Sequence, residues 1–511
     1  MRKYDLVICR GRVIDPETNF DGIADVAIKD GRIAIVGDGL GADEDTIDAQ
    51  GLIVSPGFID IHAHGQSIPA DRMQAFDGVT TALELELGVL PVERWYAEQA
   101  HMGRVLNYGA SVGWVFGRIA TMTTQQVDPG LEGMGRATSD RRWIDNVASP
   151  EELDDILDRV DTGLREGGLG IGFPNGYAPG TGMKELSQLC ELAARSGVPT
   201  FTHIAYMSNV DPRSSIDAYT RLIGLAGSTG AHMHICHFNS TSLHDVERAA
   251  RLVSTAQLQG LKVTVEAYPY GTGSTVVSAE FFSDRDFAAR MGSDYGSIEL
   301  LVDRRRLRNR EDLVDCQSKN PGALVLLHFL DVTVNPRHRD LLDISVMFPG
   351  GAIASDAMPW TLANGTTYTG DEWPLPADAT SHPRSSGTFS KFLREWVHER
   401  REMSLIDGIR KCSLIPAQIL EPGTPQMRTK GRVQPGCDAD LVVFDLDRLS
   451  DRADFHHMNA LTQGVAHLLV NGERVISDGE LSLAARPGRP VRRRLERWSS
   501  SNRGDRPRRL V

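Results

Sequence analysis

The chain has 511 residues, of which 41% are hydrophobic, so it can bury a large core and should form roughly two to four structural units. The formal net charge of −13 argues against general nucleic-acid binding, and no apolar run approaches the length of a membrane span. The six cysteines are scattered without a Cys-x-x-Cys pair, and the first residues form no apolar signal segment, so we expect a soluble cytoplasmic protein.

Both ends of the chain predict short antiparallel strands. Residues 1–55 alternate short apolar runs with turns, and Asp30-Gly31 indicates a hairpin turn. Residues 416–480 show the same pattern, with Asn471-Gly472 at a second hairpin turn. Because neither piece is a complete domain, we expect the two ends to form one small β-sandwich domain.

The middle of the chain, residues 56–415, alternates apolar β-branched runs with helical patterns. The first predicted strand leads into His62, and seven further runs predict strands at 79–87, 169–173, 199–203, 231–237, 262–268, 323–330 and 352–356. Strands that alternate with helices over this length indicate parallel βα units. The expected fold class is therefore α/β, a (β/α)8 TIM-type barrel.

Two charged segments lie outside this pattern. Residues 281–322 are rich in charge and predict either an insertion over the barrel mouth or a solvated helix pair. Residues 486–511 are rich in arginine, which favours a disordered tail, although the tail could also order against a partner subunit in a homo-oligomer.

The stretch from Pro56 to His64 carries the first sign of a metal site. In a strand, residues two apart point to the same side, so His62 and His64 would share one face with Asp60. Two imidazoles side by side can bind one divalent cation, and imidazole suits zinc, iron or nickel. A strand with two incidental polar residues is the alternative at this point.

Further polar residues stand at the ends of the later predicted strands, where the active sites of barrels lie. They are Glu84 or Glu86, His203, His237 and Asp356. Glu86 is nearer the end of its strand than Glu84, which makes it the better candidate ligand. His232 and His234 have the opposite parity to His237, which favours a structural role for both.

These features together resemble the amidohydrolase superfamily and, more narrowly, the N-acyl-D-amino-acid deacylases (D-aminoacylases). The resemblance covers about residues 4–480. It rests on the motifs Pro-Gly-Phe-Ile-Asp-x-His-x-His at 56–64, Gly-Val-Thr-Thr at 78–81, Glu-Ala-Tyr-Pro-Tyr at 266–270, His-Pro-Arg-x-x-Gly-Thr-Phe at 382–389 and Gly-Arg-Val-Gln-Pro-Gly at 431–436.

Three departures from the family pattern bear on the chemistry. Family members place a cysteine ligand at the end of the second strand, whereas Leu87 stands at that point here and Glu86 is expected to take over. The carboxylated lysine of many superfamily members is absent, because no lysine lies between Leu169 and Pro179. Asn239, two residues after His237, stands where family members tend to have a basic residue. The specificity for the acyl group or the carboxylate of the substrate is therefore expected to differ from that of the family.

The resemblance implies a metal-dependent hydrolase that cleaves the amide bond of an N-acyl-D-amino acid or a similar N-acyl compound. One Zn²⁺ would be held by His203, His237 and Glu86, and a second by His62, His64, Glu86 and Asp356, with other divalent metals as substitutes. Asp356 would serve as general acid and base.

Three residues are candidates for substrate binding. Arg384 is the candidate clamp for a substrate carboxylate, with a structural salt bridge as the alternative. Tyr177 and Tyr270 would line the pocket or simply pack. Alternative functions are a cyclic amide or imide hydrolase of the dihydroorotase or hydantoinase type, a specialised biosynthetic amidohydrolase, and a non-catalytic scaffold on the same fold.

Overall fold

The computed structural model describes residues 3–40, 45–284 and 286–495. Within these ranges the strands, numbered in chain order, are β1 Leu6–Asp15, β2 Phe20–Lys29, β3 Arg32–Gly37, β4 Thr46–Asp48, β5 Ile53–Pro56, β6 Phe58–Asp60, β7 Val79–Val89, β8 Asn107–Gly113, β9 Ile171–Pro174, β10 Pro199–His203, β11 His232–Ile235, β12 Val263–Ala267, β13 Thr272–Val276, β14 Ile298–Leu300, β15 Leu324–His328, β16 Ala352–Ile353, β17 Leu441–Phe444, β18 Val465–Val470, β19 Glu473–Ser477 and β20 Glu480–Leu481.

The α-helices of the described ranges are α1 Ile68–Phe76, α2 Val92–Met102, α3 Trp114–Met122, α4 Leu131–Ala137, α5 Arg142–Asp145, α6 Pro150–Arg165, α7 Met183–Ser196, α8 Ser215–Thr229, α9 Phe238–Ser242, α10 Val246–Leu258, α11 Phe287–Met291, α12 Arg310–Lys319, α13 Pro336–Val346, α14 Arg384–Phe392, α15 Leu405–Cys412 and α16 Leu414–Leu420. A π-helical segment, Leu393–Glu399, continues α14. In the part of the chain that the structure describes, no helix has the length and apolar character needed to cross a bilayer.

The central sheet is a parallel barrel, which confirms the predicted fold class. Its strands follow the order β6-β7-β8-β9-β10-β11-β12-β16. The last strand meets the first through a parallel bridge between Ala63 and Ala357, where the amide of His64 donates to the carbonyl of Ala357 at 2.8 Å. The ends of β6 and β16 are thereby held side by side.

One barrel strand differs from the sequence prediction. The apolar run at 323–330 contributes β15, which pairs with β13 and β14 in a separate antiparallel sheet and is not part of the barrel. The eighth barrel strand is instead β8, whose small and polar residues gave no apolar signal. Small residues are needed here because a Cβ on Gly109 would lie 2.5 Å from the carbonyl oxygen of Val491.

Both chain ends contribute to one nine-stranded sheet, as predicted. The N-terminal strand β5 pairs with β17 from the C-terminal part, and the two predicted hairpins join β2 to β3 and β18 to β19. Positive φ angles at Asp30, Gly31, Asn471 and Gly472 are those that tight two-residue hairpin turns require. The core of this sheet mixes both ends, with Ile8 and Val26 packed beside Leu441 and Leu469.

The first part of the predicted disordered tail is packed against the barrel. The amide of Val491 donates to the carbonyl of Tyr108 at 2.7 Å, and the hydroxyl of Tyr96 donates to the carbonyl of Val491 at 2.7 Å. Val491 is buried within a cluster that includes Leu83 and Phe201. Residues 486–495 therefore differ from the prediction, and 496–511 lie outside the described residues.

A buried ion pair fixes α1 to the segment that precedes β8, and its loss is expected to destabilise the fold. Arg104 Nε donates to Asp71 Oδ2 at 2.7 Å, and both side chains are 0% exposed. Asp71→Asn would leave the guanidinium buried without its counter-charge, at a cost of about 3–5 kcal/mol. Urea unfolding measures this, with Glu98→Gln as the control.

Glu98 pairs with Arg94 on the exposed face of α2, where each side chain is more than half exposed. Its loss is expected to change the free energy of unfolding by less than about 1 kcal/mol. Equal changes for the two variants would contradict the structural role given to Asp71.

Candidate metal centre

Six side chains from five barrel strands converge at the carboxyl ends of those strands. They come from the segments that follow or end β6, β7, β10, β11 and β16, and they are His62, His64, Glu86, His203, His237 and Asp356. All are buried except His64, which is partly exposed. The structure thus brings together all six candidate ligands of the sequence analysis.

His62 and His64 form the first half of the centre. Their Nε2 atoms lie 3.2 Å apart, and each faces Oε2 of Glu86, at 2.8 Å from His62 and 3.4 Å from His64. Two nitrogens bound tetrahedrally to one zinc at about 2.0–2.1 Å would stand about 3.3 Å apart. The observed separation therefore suits two ligands of one cation.

His203 and His237 form the second half. Nδ1 of His203 lies 3.1 Å from Nε2 of His237, and these atoms lie 3.1 Å and 3.3 Å from Oε1 of Glu86. Glu86 thus turns one carboxylate oxygen to each histidine pair. A carboxylate placed in this way can bridge two cations.

Asp356 completes the first half and is held in a strained backbone conformation. Its Oδ1 lies 3.5 Å from Nε2 of His62 and 3.4 Å from Nε2 of His64. Its φ of 51°, like the φ of 35° at His237, lies in the left-handed region that non-glycine residues rarely adopt. Strain of this kind, at about 1–3 kcal/mol per residue, concentrates at functional sites.

Arg384 forms a salt bridge with Asp356. A structural salt bridge was the alternative to a substrate-binding role for this residue. Its Nε donates to the backbone carbonyl of Asp356 at 2.6 Å, and its Nη2 lies 2.8 Å from Oδ2. These two contacts leave Oδ1 turned towards the histidines. Nη1 of Arg384 is buried and has no hydrogen-bond partner among the described residues.

Two further carboxylates stand behind the histidines that follow β6. Both oxygens of Glu84 lie near Nδ1 of His64, at 2.9 Å and 3.1 Å, and Oε1 of Glu266 hydrogen-bonds Nδ1 of His62. Glu266 also contacts Nε2 of His234 at 3.1 Å. The sequence left Glu84 open as either a ligand or a deeper residue with a structural partner, and its contact with His64 corresponds to the second. The role of Glu266 was missed, although its position near the end of β12 was a usable signal.

The carboxylates set the electrostatics of the centre. Burial alone would lower the pKa of His62, but Glu266 and Asp356 raise it well above the usual value, and Glu84 does the same for His64. Burial would raise the pKa of Glu86, yet His237 and His62 hold it well below its usual range. The carboxylates around the two histidines that follow β6 therefore favour a positive charge at this point of the centre.

The donor set fits a divalent cation such as zinc. It offers four imidazole nitrogens and two carboxylates, and imidazole with carboxylate is the ligand combination of many catalytic zinc sites. Two of the clusters whose ligand atoms lie within 4.8 Å of one another are His62, Glu86 and His237, and His62, His64 and Asp356. The soft ligand is absent from β7, where Leu87 is buried.

The two tyrosines predicted to bind substrate occupy different surroundings. Tyr177 packs edge-on against His203, with ring centroids 5.1 Å apart, and so borders the centre. Tyr270 packs against His382 and borders a separate cavity of about 870 Å³ that none of the six candidate ligands lines. Phe281, inside the predicted 281–322 insertion, stacks on His203 at 5.8 Å and is a neighbour that the sequence did not reveal.

Comparison with known families gives a match over most of the chain. A model of an amidohydrolase family matches residues 45–288 and 238–476. N-acyl-D-glutamate deacylase of Alcaligenes xylosoxydans xylosoxydans is 24% identical over 529 aligned residues, which cover 96% of this chain and 97% of that protein. Allantoinase of Escherichia coli O1:K1 / APEC is 30% identical over 287 aligned residues, which cover 52% of this chain and 59% of that protein.

Solved structures show the same fold. N-acyl-D-glutamate deacylase from Bordetella bronchiseptica, complexed with zinc and a phosphonate inhibitor, has a TM-score of 0.76 at 24% identity and covers 96% of this chain and 100% of its own. D-aminoacylase has a TM-score of 0.74 at 22% identity with the same coverage. These likenesses confirm a TIM-type barrel accompanied by a β-sandwich domain.

Proposed function

The chain belongs to the amidohydrolase family, and on that premise we propose that it hydrolyses the linear amide bond of N-acyl-D-amino acids with one or two divalent metal ions, in the first place zinc. The observation that carries the proposal is the position of Glu86, whose two oxygens each face one histidine pair, with Asp356 beside them. Such an arrangement is suited to hold cations next to a carboxylate that can exchange protons.

His62, His64, Glu86 and Asp356 would hold one cation, and His203, His237 and Glu86 the other. A cation bound there would lower the pKa of water from about 15.7 towards about 7 and polarise the scissile carbonyl. The carboxylate of Asp356 would accept the proton of the attacking water and then deliver it to the leaving nitrogen, while the water oxygen would become part of the released carboxylate.

Arg384 supports this reaction in two ways. Through Nε and Nη2 it fixes the carboxylate of Asp356, so the general base is held in one orientation. Its remaining donor, Nη1, can bind a carboxylate or carbonyl oxygen of the substrate. Tyr177 would line the substrate pocket beside His203, and the place of Tyr270 outside the centre favours a packing role.

All six cysteines lie in the described part of the chain and are free thiols, which supports a reducing compartment such as the cytoplasm.

Hydrolysis of a cyclic amide is the second candidate function. It is favoured by the allantoinase relative, although that similarity covers about half of the chain.

Paired substrates separate the candidates. The metal-loaded protein is incubated with N-acetyl-D- and N-acetyl-L-amino acids, with allantoin, and with dihydroorotate, and the released amine or ring-opened product is quantified. Release from the D-series with little from the L-series supports the proposal. Ring opening with no release from any N-acetyl amino acid would replace it with the cyclic-amide function.

A further inference from the structure

We propose that one directed chain of hydrogen bonds crosses the interior of the barrel and ends on the candidate ligand His62, and that its direction keeps Nε2 of His62 free of hydrogen for the cation. The chain consists of His232, Thr264, His234, Glu266 and His62, and it is called the core chain below. The inference rests on the proposed function, because it makes His234 and Thr264 positioning residues for the same metal centre.

The contacts of the core chain are continuous. Nε2 of His232 lies 2.8 Å from Oγ1 of Thr264, and this oxygen lies 2.9 Å from Nδ1 of His234. Nε2 of His234 lies 3.1 Å from Oε2 of Glu266, whose Oε1 hydrogen-bonds Nδ1 of His62. No buried side-chain nitrogen or oxygen of these five residues lacks a hydrogen-bond partner. A buried polar network that is satisfied in this way holds its members in one arrangement.

The core chain runs from the amino ends of the barrel strands towards their carboxyl ends. His232 is the first residue of β11 and is partly exposed, as is Thr264, which lies opposite His234 in the register of β11 and β12. His234 and His62 are both 0% exposed. The chain therefore connects the half-exposed lower end of the barrel to a candidate ligand at the upper end, where barrel active sites lie.

The direction of the core chain is set at Glu266. A carboxylate accepts hydrogen bonds and cannot donate them, and the amide of His237 donates to Oε1 of Glu266 at 3.3 Å. Both imidazoles that face Glu266 must therefore donate, His62 from Nδ1 and His234 from Nε2. A neutral His62 with its hydrogen on Nδ1 has its lone pair on Nε2, the nitrogen that faces the cation.

The remaining hydrogens follow one from another. Neutral His234, with its hydrogen on Nε2, has an acceptor at Nδ1, so the hydroxyl of Thr264 donates to this nitrogen. The oxygen of the same hydroxyl then accepts from Nε2 of His232. Each hydrogen of the core chain thus has one position, and all of them point towards Glu266 along the chain.

Glu266→Gln is the substitution that reveals this direction, because an amide has one oxygen that accepts and one nitrogen that donates. With zinc on Nε2 of His62, Nδ1 of that ring still has to donate, so it takes the amide oxygen. The amide nitrogen then faces Nε2 of His234, which can accept only when the hydrogen of that ring is on Nδ1. The hydroxyl of Thr264 consequently accepts from His234 and donates to His232.

Neutron diffraction from deuterated, zinc-loaded crystals shows these positions directly. In the wild type we expect deuterium on Nε2 of His234 and none on Nδ1, and in Glu266→Gln the reverse with zinc still bound. Deuterium on Nδ1 or on both nitrogens of wild-type His234, or an unchanged ring in Glu266→Gln, would overturn the inference and leave the proposed function intact. Crystals that take up no zinc at the centre would overturn the proposed function, and the positioning roles with it.

A zinc titration with a competing chelator tests whether the core chain positions its ligand. Thr264→Val alone should leave zinc binding unchanged, because Nδ1 of His234 stays an acceptor whether or not zinc is bound. Glu266→Gln should weaken zinc binding by about 10- to 100-fold. Thr264→Val added to Glu266→Gln should weaken it by about a further 10-fold or more, because the hydrogen on Nδ1 of His234 then has no acceptor.

Glu299→Gln is the matched control. Oε2 of Glu299 lies 3.1 Å from Nε2 of His328, whose Nδ1 lies 2.9 Å from Oγ1 of Thr272, so these residues repeat the Glu-His-Thr arrangement outside the metal centre. Zinc binding should be unchanged in this variant. No further loss in the double variant would contradict the role given to Thr264. Should Glu266→Gln fail to fold, the wild-type diffraction result still decides the direction of the core chain.

Discussion

Glu86→Ala is expected to leave the protein folded but to remove most of its bound zinc and to slow amide hydrolysis by roughly 10²–10³-fold. Glu86 faces both histidine pairs, at 2.8 Å from His62 and 3.1 Å from His203. Without it, the four imidazoles would hold the cations with Asp356 alone. A loss of about 3–4 kcal/mol of carbonyl polarisation corresponds to the rate decrease given above.

Two measurements check this expectation on the same preparation. Inductively coupled plasma mass spectrometry counts zinc per chain, and product release gives kcat. Glu98→Gln, on the exposed face of α2, is the control for purification and handling. Wild-type zinc content together with wild-type kcat in Glu86→Ala would show that Glu86 is not a metal ligand.

Asp356→Asn is expected to lower kcat by about 10²–10⁴-fold, because the amide cannot accept the proton of the attacking water. Burial would raise the pKa of Asp356, but Arg384 and His62 hold it below its usual value, so the base is ionised at neutral pH. The substitution keeps the size of the side chain and leaves His203, His237 and Glu86 in place. At least one equivalent of zinc should therefore remain bound.

The combination of lost turnover and retained metal separates a proton-transfer role from simple loss of the cation. Asp371→Asn is the control, because Asp371 also pairs with arginines, Arg72 and Arg486, but at the protein surface. If Asp356→Asn turned over within threefold of the wild-type rate, about 0.65 kcal/mol, Asp356 would not be the general base.

The sequence was sufficient to predict the architecture and the six candidate ligands for a physical reason. Ligands of a barrel stand at the carboxyl ends of strands, where a polar residue after an apolar run is visible in the chain itself. His203 at the end of β10 and Asp356 after β16 are such residues. The hairpin turns at Asp30-Gly31 and Asn471-Gly472 could also be predicted from neighbouring residues alone, because such turns require positive φ angles and favour these residue types.

What the sequence could not predict depended on contacts between distant segments. β8 was missed because it contains glycines and a serine in place of an apolar run. Small residues are needed there because neighbours such as Val491, which lies far along the chain, leave no room for larger side chains. The run at 323–330 has the composition of a barrel strand, and only its pairing with β13 and β14 excludes it from the barrel. Glu84 and Glu86 have the same parity on β7, so alternation alone could not tell the ligand from the residue behind His64.

The most direct test of the proposed function is metal removal followed by metal return. Chelator-stripped protein is assayed on the N-acetyl-D-amino acids before and after stepwise addition of zinc, manganese or cobalt, with bound metal counted at each step. We predict no hydrolysis in the stripped protein and a rate that rises with the metal bound. Undiminished hydrolysis in the stripped protein, or metal fully bound with no hydrolysis of any of these substrates, would contradict the account.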